Sequence, residues 1–159
     1  MKIYIIGQVG SGKTTLAKKL SQKYNIKYYE LDKVVWDDEN DNIKRSKEEQ
    51  LKLFNEIINQ DSWIIEDVGR EIFKDSYEKC DKIYYLKHSK ITLYQRIIKR
   101  WIKQLLKIEK SNYKPTIKSL IEMTNWLSQG LKKEEEKINN LKNYESFTLL
   151  TKKDINSIN

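Results

Sequence analysis

The sequence predicts an α/β domain built on a mainly parallel sheet. Three observations predict it. Short apolar runs alternate with amphipathic helical stretches from end to end. The first apolar run leads directly into a glycine-rich turn, and the turn into a helix. The 159 residues suffice for one domain with a real core.

Taken in order, residues 2–6, "KIYII", read as a buried strand. A helix is expected from about Gly12 to Tyr24, with Leu16, Ala17 and Leu20 facing inward. "IKYYELD", residues 26–32, reads as a second strand, and the polar residues 37–45 as a loop. "SKEEQLKLFNEIINQ", residues 46–60, is an amphipathic helix that Ser46 and Glu49 start with a capping box. "WIIED", residues 63–67, is the third strand; a short helix follows in "EIFKDSYEKC"; "KIYYL", residues 82–86, is the fourth strand. Helical stretches cover about 90–110 and 116–142, with Pro115 suited to the first turn of the second. "SFTLLT", residues 146–151, is the fifth strand, and a short helix ends the chain. The chain reads as a single domain, 1–159, with a helical subdomain at about 90–142.

Composition narrows the function. The net charge is +8, which suits an anionic partner such as a nucleotide or nucleic acid. The competing explanation is drift toward Lys, Ile and Asn, since scattered lysines mostly serve solvation. Only four of the 31 basic residues are arginines, Arg45, Arg70, Arg96 and Arg100. Arginine is the side chain suited to bidentate phosphate contacts, so each position carries weight. Cys80 and His88 are single, which leaves no disulfide framework and argues against a histidine metal site. The N-terminus lacks a secretory pattern and no run approaches membrane-spanning length, so a cytoplasmic protein is expected.

Gly7-Gln8-Val9-Gly10-Ser11-Gly12-Lys13-Thr14 matches G-x-x-x-x-G-K-[ST], the phosphate-binding P-loop. Glycines let the backbone curl so that successive N–H groups point at phosphate oxygens. The helix that follows brings its positive end to the same point. The nucleotide-binding set is Gly7, Gly10, Ser11, Gly12, Lys13, Thr14 and Thr15. Lys13 would reach the β- and γ-phosphates of ATP or GTP, and the Thr14 hydroxyl would hold Mg²⁺. A plain strand-to-helix turn would use glycine but has no need of Lys then Thr after the last one.

"IIGQVGSGKTTLAKKL", "YYELDKVVW", "WIIEDVGR", "DKIYYL", "RIIKR" and the terminal "FTLLTKKDI" occur in an order that resembles the small P-loop kinases of the adenylate kinase type. They look most like the bacterial group labelled DNA topology modulation (FlaR-like) proteins. The resemblance spans nearly the whole chain. It implies a P-loop three-layer sandwich whose five-stranded parallel sheet has the order 2-3-1-4-5, with a helical lid. Function still has to be argued from the site.

Asp32 lies at the end of the second strand, the side of an open α/β sheet where ligands bind. It would orient an acceptor hydroxyl, act as base, or hold Mg²⁺-bound water. Its alternative is a turn or helix cap. Trp36 would wall an acceptor pocket or pack in the core. In "WIIEDVGR" the resemblance assigns the Mg²⁺-side acid to Glu66 and an acceptor-binding arginine to Arg70. Asp67 stands where related sequences usually carry Gly, either as the metal-side acid itself or as a negative group that reshapes the acceptor pocket. Strand alternation keeps Glu66 and Asp67 from facing the site equally.

Arg96 and Arg100, four apart on a helix, share a face that Lys103, Lys107 and Lys110 would continue. The arginines would carry positive charge to the γ-phosphate, while the lysines read as a solvated face. Arg45 would grip an acceptor phosphate or serve as a loop residue. Thr151 and Lys152 would lie by the adenine base, by resemblance. His88 and Cys80 are expected at the surface or in packing.

The reading favoured is an ATP-dependent, Mg²⁺-assisted phosphotransferase on a small nucleoside- or nucleotide-like acceptor. Lys13, Asp32, Arg96 and Arg100 form its catalytic set, Asp32, Arg45 and Arg70 its acceptor set, and Thr14 and Glu66 its metal set. The alternative is a nucleotide-dependent DNA-binding regulator, for which no helix-turn-helix, zinc-finger or RNA-recognition signature is present. A nucleotide switch that only hydrolyses its ligand ranks last. The partners expected are a nucleotide and a small acceptor, with no membrane, in a monomer or homodimer.

Overall fold

A computed structural model describes residues 1–37, 43–109 and 114–157. The main sheet is built from β1 (Lys2–Gly7), β2 (Tyr28–Glu30), β5 (Trp63–Asp67), β6 (Lys82–Leu86) and β7 (Phe147–Leu150). Its order is β2-β5-β1-β6-β7, and every neighbouring pair is parallel. Counted among themselves in chain order, these five strands run 2-3-1-4-5, as the resemblance implies. The full numbering shifts because a two-stranded ribbon, β3 (Trp36–Asp37) with β4 (Ile43–Lys44), lies between the second and third.

β1 is central, so both its faces are covered and its sequence is almost wholly apolar. Alternation divides it. Ile3 and Ile5 pack with Leu16, Ala17 and Leu20 of α1 (Lys13–Tyr24). Tyr4 and Ile6 pack on the opposite face with Phe54, Ile57 and Ile58 of α3 (Lys47–Ile58) and with Phe73. Burying each such side chain contributes about 1.5–3 kcal/mol. Phe54 and Phe73 meet at 4.5 Å between ring centroids. The capping box predicted for α3 is present: Glu49 N donates to Ser46 Oγ, and Ser46 N donates to Glu49 Oε2.

Several element boundaries differ from the sequence reading. The second strand ends at Glu30, because Leu31, Val34 and Val35 turn inward as the short helix α2 (Leu31–Val35). Asp32 is therefore in the first turn of a helix. The loop expected at 37–45 includes part of the β3–β4 ribbon. Residues 71–79 form a 3₁₀ segment, Glu71–Lys79. α4 (Lys90–Leu105) stops short of residue 110. Of the lysines expected to extend its face, Lys103 is on the helix, Lys107 has a left-handed backbone with φ 56°, and Lys110 lies outside the described residues.

The long helix expected over 116–142 is two helices, α5 (Ile117–Lys132) and α6 (Glu134–Leu141), broken at Lys133. Met123 and Leu127 of α5 pack with Leu93 and Ile97 of α4, while Ile138 and Leu141 of α6 join the core beneath the sheet. One straight helix would not meet both clusters, so the break has a packing cause. Pro115 precedes the N-cap, Thr116, and so sits outside the first turn of α5. Trp101 Nε1 donates to Thr116 O, tying α4 to that cap. The chain ends in α7 (Lys152–Ser157). Among the described residues, no helix is long and apolar enough to cross a membrane.

Candidate active site

The site forms where the sheet order reverses. β1 has β5 on one side and β6 on the other, which opens a crevice beyond its C-terminal end. The register places Ile5 beside Glu66 and Ile6 beside Asp67, so both acids arrive level with the start of the glycine turn. Gly10 and Gly12 have φ of 78° and 96°, a conformation that L side chains rarely adopt. Their left-handed backbone lets the chain curl back, with Ser11 N donating to Gln8 O, before α1 begins at Lys13.

Lys13, Thr14 and Glu66 converge there. Thr14 Oγ1 donates to Glu66 Oε1 at 2.8 Å. Lys13 Nζ donates to Gln8 O at 3.2 Å and lies 3.9 Å from Glu66 Oε2. Both side chains are nearly enclosed, 11% and 7% exposed. Burial pushes the Glu66 carboxyl above its ordinary value; Lys13 and the Thr14 hydroxyl pull the other way. Thr15, the third residue of α1, is exposed.

Parity along β5 separates the two acids. Glu66 shares the face of Ile64, toward α1; Asp67 shares the face of Ile65, toward α3. Asp67 meets Arg70 instead of the P-loop. Its carboxylate accepts from Arg70 N at 2.6 Å and forms an ion pair with Arg70 Nη1. Arg70 Nη2 also donates to Asp32 Oδ1 at 2.5 Å. The neighbouring carboxylates outweigh burial and raise the Arg70 pKa further. Gly69, at φ 79°, makes the turn that brings Arg70 back onto Asp67.

The arginines of the basic helix divide. Arg96 Nη1 donates to Gly10 O at 3.3 Å and Ser11 O at 3.1 Å, so α4 reaches over the glycine turn. Arg100, one helical turn on, points into the α4–α5 seam with Nη2 4.0 Å from Met123 Sδ. Arg45 is engaged away from the crevice. Its Nη1 donates to Lys33 O and Trp36 O, each at 2.7 Å, and its Nη2 pairs with Asp37 at 2.9 Å. It clamps α2 to the β3–β4 ribbon. Trp36 is exposed in that ribbon. Thr151 Oγ1 donates to Asp154 Oδ2, a cap on α7; the Lys152 side chain lies outside the described part of the structure.

Other residues meet the site without having been predicted. His88 Nε2 lies 2.9 Å from Ser11 O and 3.1 Å from Arg96 Nη1. The signal was available, since residues just past β6 must emerge beside the end of β1 in a parallel sheet. Gln8, an unspecified position of the P-loop pattern, is buried, and its Nε2 donates to Gly130 O and Tyr85 Oη. Tyr85 Oη donates to the buried Glu134 at 2.9 Å. Lys137 Nζ donates to Val68 O at 2.7 Å, and burial lowers its pKa. Nothing local in the sequence marks these last contacts, because they depend on the placement of α5 and α6. Cys80 donates to Ser76 O, and burial pushes its thiol up to about 12.

Residues 3–113 match a family model described as an AAA domain (AAA_18). A shikimate kinase of Sulfurihydrogenibium sp. (strain YO3AOP1) is 32% identical over 76 residues, 42% of this chain and 46% of that relative. The match thus spans less than half of the relative's length. The solved shikimate kinase from Acinetobacter baumannii in complex with shikimate superposes with a TM-score of 0.61 at 15% identity, covering 97% of this chain and 86% of that one. The deoxyadenosine kinase from M. mycoides with bound dATP gives 0.61 at 18% identity, covering 99% and 94%. At these identities the two structures establish a shared fold.

Proposed function

The chain belongs to the AAA-domain family AAA_18, and on that premise we propose that it is an ATP-dependent phosphotransferase acting on a small nucleoside- or nucleotide-like acceptor. The observation that carries this reading is the Thr14–Glu66 contact of 2.8 Å beside Lys13, at the mouth of the glycine turn. A hydroxyl and a carboxylate are hard oxygen donors of the kind Mg²⁺ takes alongside substrate phosphates. When bound, the ion would neutralise charge shared by the β- and γ-phosphate oxygens.

The chain's own groups then divide the work. The turn's N–H groups and the start of α1 hold the phosphates. Lys13 and Arg96 supply positive charge where the transferred group carries it. Asp32 takes the proton of the acceptor hydroxyl as that oxygen bonds to the γ-phosphorus and the bond from the γ-phosphorus to the β–γ bridging oxygen breaks, releasing ADP. Arg70 fixes Asp32 in place. α4 and α5, which share their own apolar cluster, act as the lid that carries Arg96 to the turn. Catalysis is mostly placement and electrostatics.

Transfer of label from γ-labelled Mg·ATP across nucleosides, nucleoside monophosphates and small polyols tests the proposal, with Lys13→Ala as control. Product that depends on Lys13 is expected. ATP binding with no labelled product from any acceptor rejects it.

The finer resemblance to DNA topology modulation proteins, with the charge of +8, supports a rival: a nucleotide-dependent DNA-binding regulator. DNA affinity that falls steeply with salt and responds to ATP would favour it, because phosphate contacts release counterions.

A further inference from the structure

We propose that the acceptor carries no anionic group where Arg70 sits: it is an uncharged or cationic hydroxyl compound, not a phosphorylated or carboxylated one. This rests on the phosphotransferase reading and narrows its substrate class.

The argument is one of charge and burial. Arg70 is the arginine paired with Asp32, the residue that meets the acceptor hydroxyl, and two carboxylates hold its guanidinium. Asp67 takes Nη1 and the backbone N–H of Arg70, and its side chain is 0% exposed. That pair cannot open cheaply. Swinging Arg70 toward an incoming phosphate would leave a buried carboxylate without its counter-charge, which is strongly destabilising. Asp32 takes Nη2 and is 66% exposed, so it stands at the solvent side of Arg70. An approaching anion meets the Asp32 carboxylate first, and like-charge juxtaposition disfavours it. Two carboxylates share one guanidinium, so Arg70 carries no uncompensated charge toward a further anion.

Lys137 does not reverse this. Its ammonium, coupled to Asp67, brings the cluster only to neutrality, and it is held by Val68 O, with its aliphatic stem where a Cβ on Gly69 would meet Cδ at 3.0 Å. What the cluster offers an acceptor is the free acceptor capacity of Asp32, which suits a hydroxyl or an ammonium donor. In this assignment Asp67 is a positioning residue. It acts through Arg70, and a neutral residue in its place would release the guanidinium to bind anions.

Two measurements test this, one of them independent of turnover. With the glycine turn first filled by Mg²⁺ and a non-hydrolysable ATP analogue, methyl phosphate is titrated while the arginine Nε–Hε NMR signals are followed. The chain has four arginines, so single Arg→Lys variants assign them. The Arg70 signal should stay in place in the wild type and move in Asp67→Asn, with Asp67→Glu restoring the wild-type response. In the transfer assay, kcat/KM for a nucleoside should exceed that for its 5′-monophosphate by about tenfold or more, a gap that Asp67→Asn narrows through KM. An Arg70 signal that moves in the wild type overturns the proposal, as does a preference for the monophosphate. If Asp67→Asn does not fold, the wild-type titration decides. A protein that labels no acceptor sinks the phosphotransferase reading, and the Arg70 titration still answers the question of charge.

Discussion

Gln8 and Gly130 are 122 positions apart, yet Gln8 Nε2 donates to Gly130 O at 3.1 Å. The contact joins the phosphate-binding turn to the last turn of α5. A Cβ placed on Gly130 would lie 2.1 Å from Gln8 Oε1, so the Gln8 side chain comes this close to α5 only because position 130 has no side chain. Gly130→Ala is expected to cost about 1–3 kcal/mol as an overpacked site. In a Gln8→Ala background most of that cost should vanish. Urea midpoints of the two single variants and the double variant form the cycle. Additive losses would mean that Gln8 is not what the added methyl group meets.

Arg96 and Arg100 share a helix face, but only Arg96 touches the glycine turn. Removing a preorganised donor to developing charge typically costs about 10²–10³ in kcat. Arg96→Ala should fall in that range once an acceptor is identified, with Arg100→Ala staying within a few-fold of wild type. Equal losses in the two variants would show that Arg100 also reaches the reacting group in the closed enzyme. Steady-state kinetics on both variants reads this directly.

Glu66 introduces a pH dependence whose sign follows from its burial. Its folded pKa lies above the ordinary 4.5 because desolvation disfavours the charged form more than Lys13 and Thr14 favour it. The folded state therefore holds this proton more tightly than the unfolded state. The resulting stabilisation is full below the ordinary value and is lost as pH rises through the folded pKa. Mg²⁺ coordination runs the other way, since it needs the carboxylate. Glu66 should thus add to the acid limb of Mg²⁺-dependent ATP affinity at a pH above 4.5, and Glu66→Gln should reduce the limb to what the terminal phosphate of ATP contributes by its own titration, about pH 6, and remove most of the Mg²⁺ dependence. An acid limb and Mg²⁺ dependence unchanged in the variant would remove Glu66 from the metal role.

The parts of this protein legible in the sequence are those written in contiguous residues. The P-loop is a single run of eight, and its strand and helix flank it directly. The capping box of α3 spans four residues. Alternation along β5 already required Glu66 and Asp67 to face opposite ways, though not which of them faced the glycine turn; the parity shared by β1, β5 and α1 decided that. Asp67 and Arg70 are three apart, but their pairing depends on the turn at Gly69, and the addition of Asp32 depends on α2 replacing the end of the second strand.

The amino-acid sequence by itself determined the order of the five sheet strands, the phosphate-binding turn and the residue types gathered at the sheet's C-terminal edge. Periodicity and local hydrogen bonding act over a few residues, so a linear pattern is enough to specify them. Tertiary structure alone decided that Arg70 is shared by two carboxylates, that Arg45 clamps a ribbon, that Arg96 and not Arg100 reaches the turn, and that Gln8, Tyr85 and Glu134 form a buried chain. Those outcomes depend on where helices cross and where the helix over 116–142 breaks. Both are settled by the packing of distant apolar faces, which brings together polar groups that no local rule pairs.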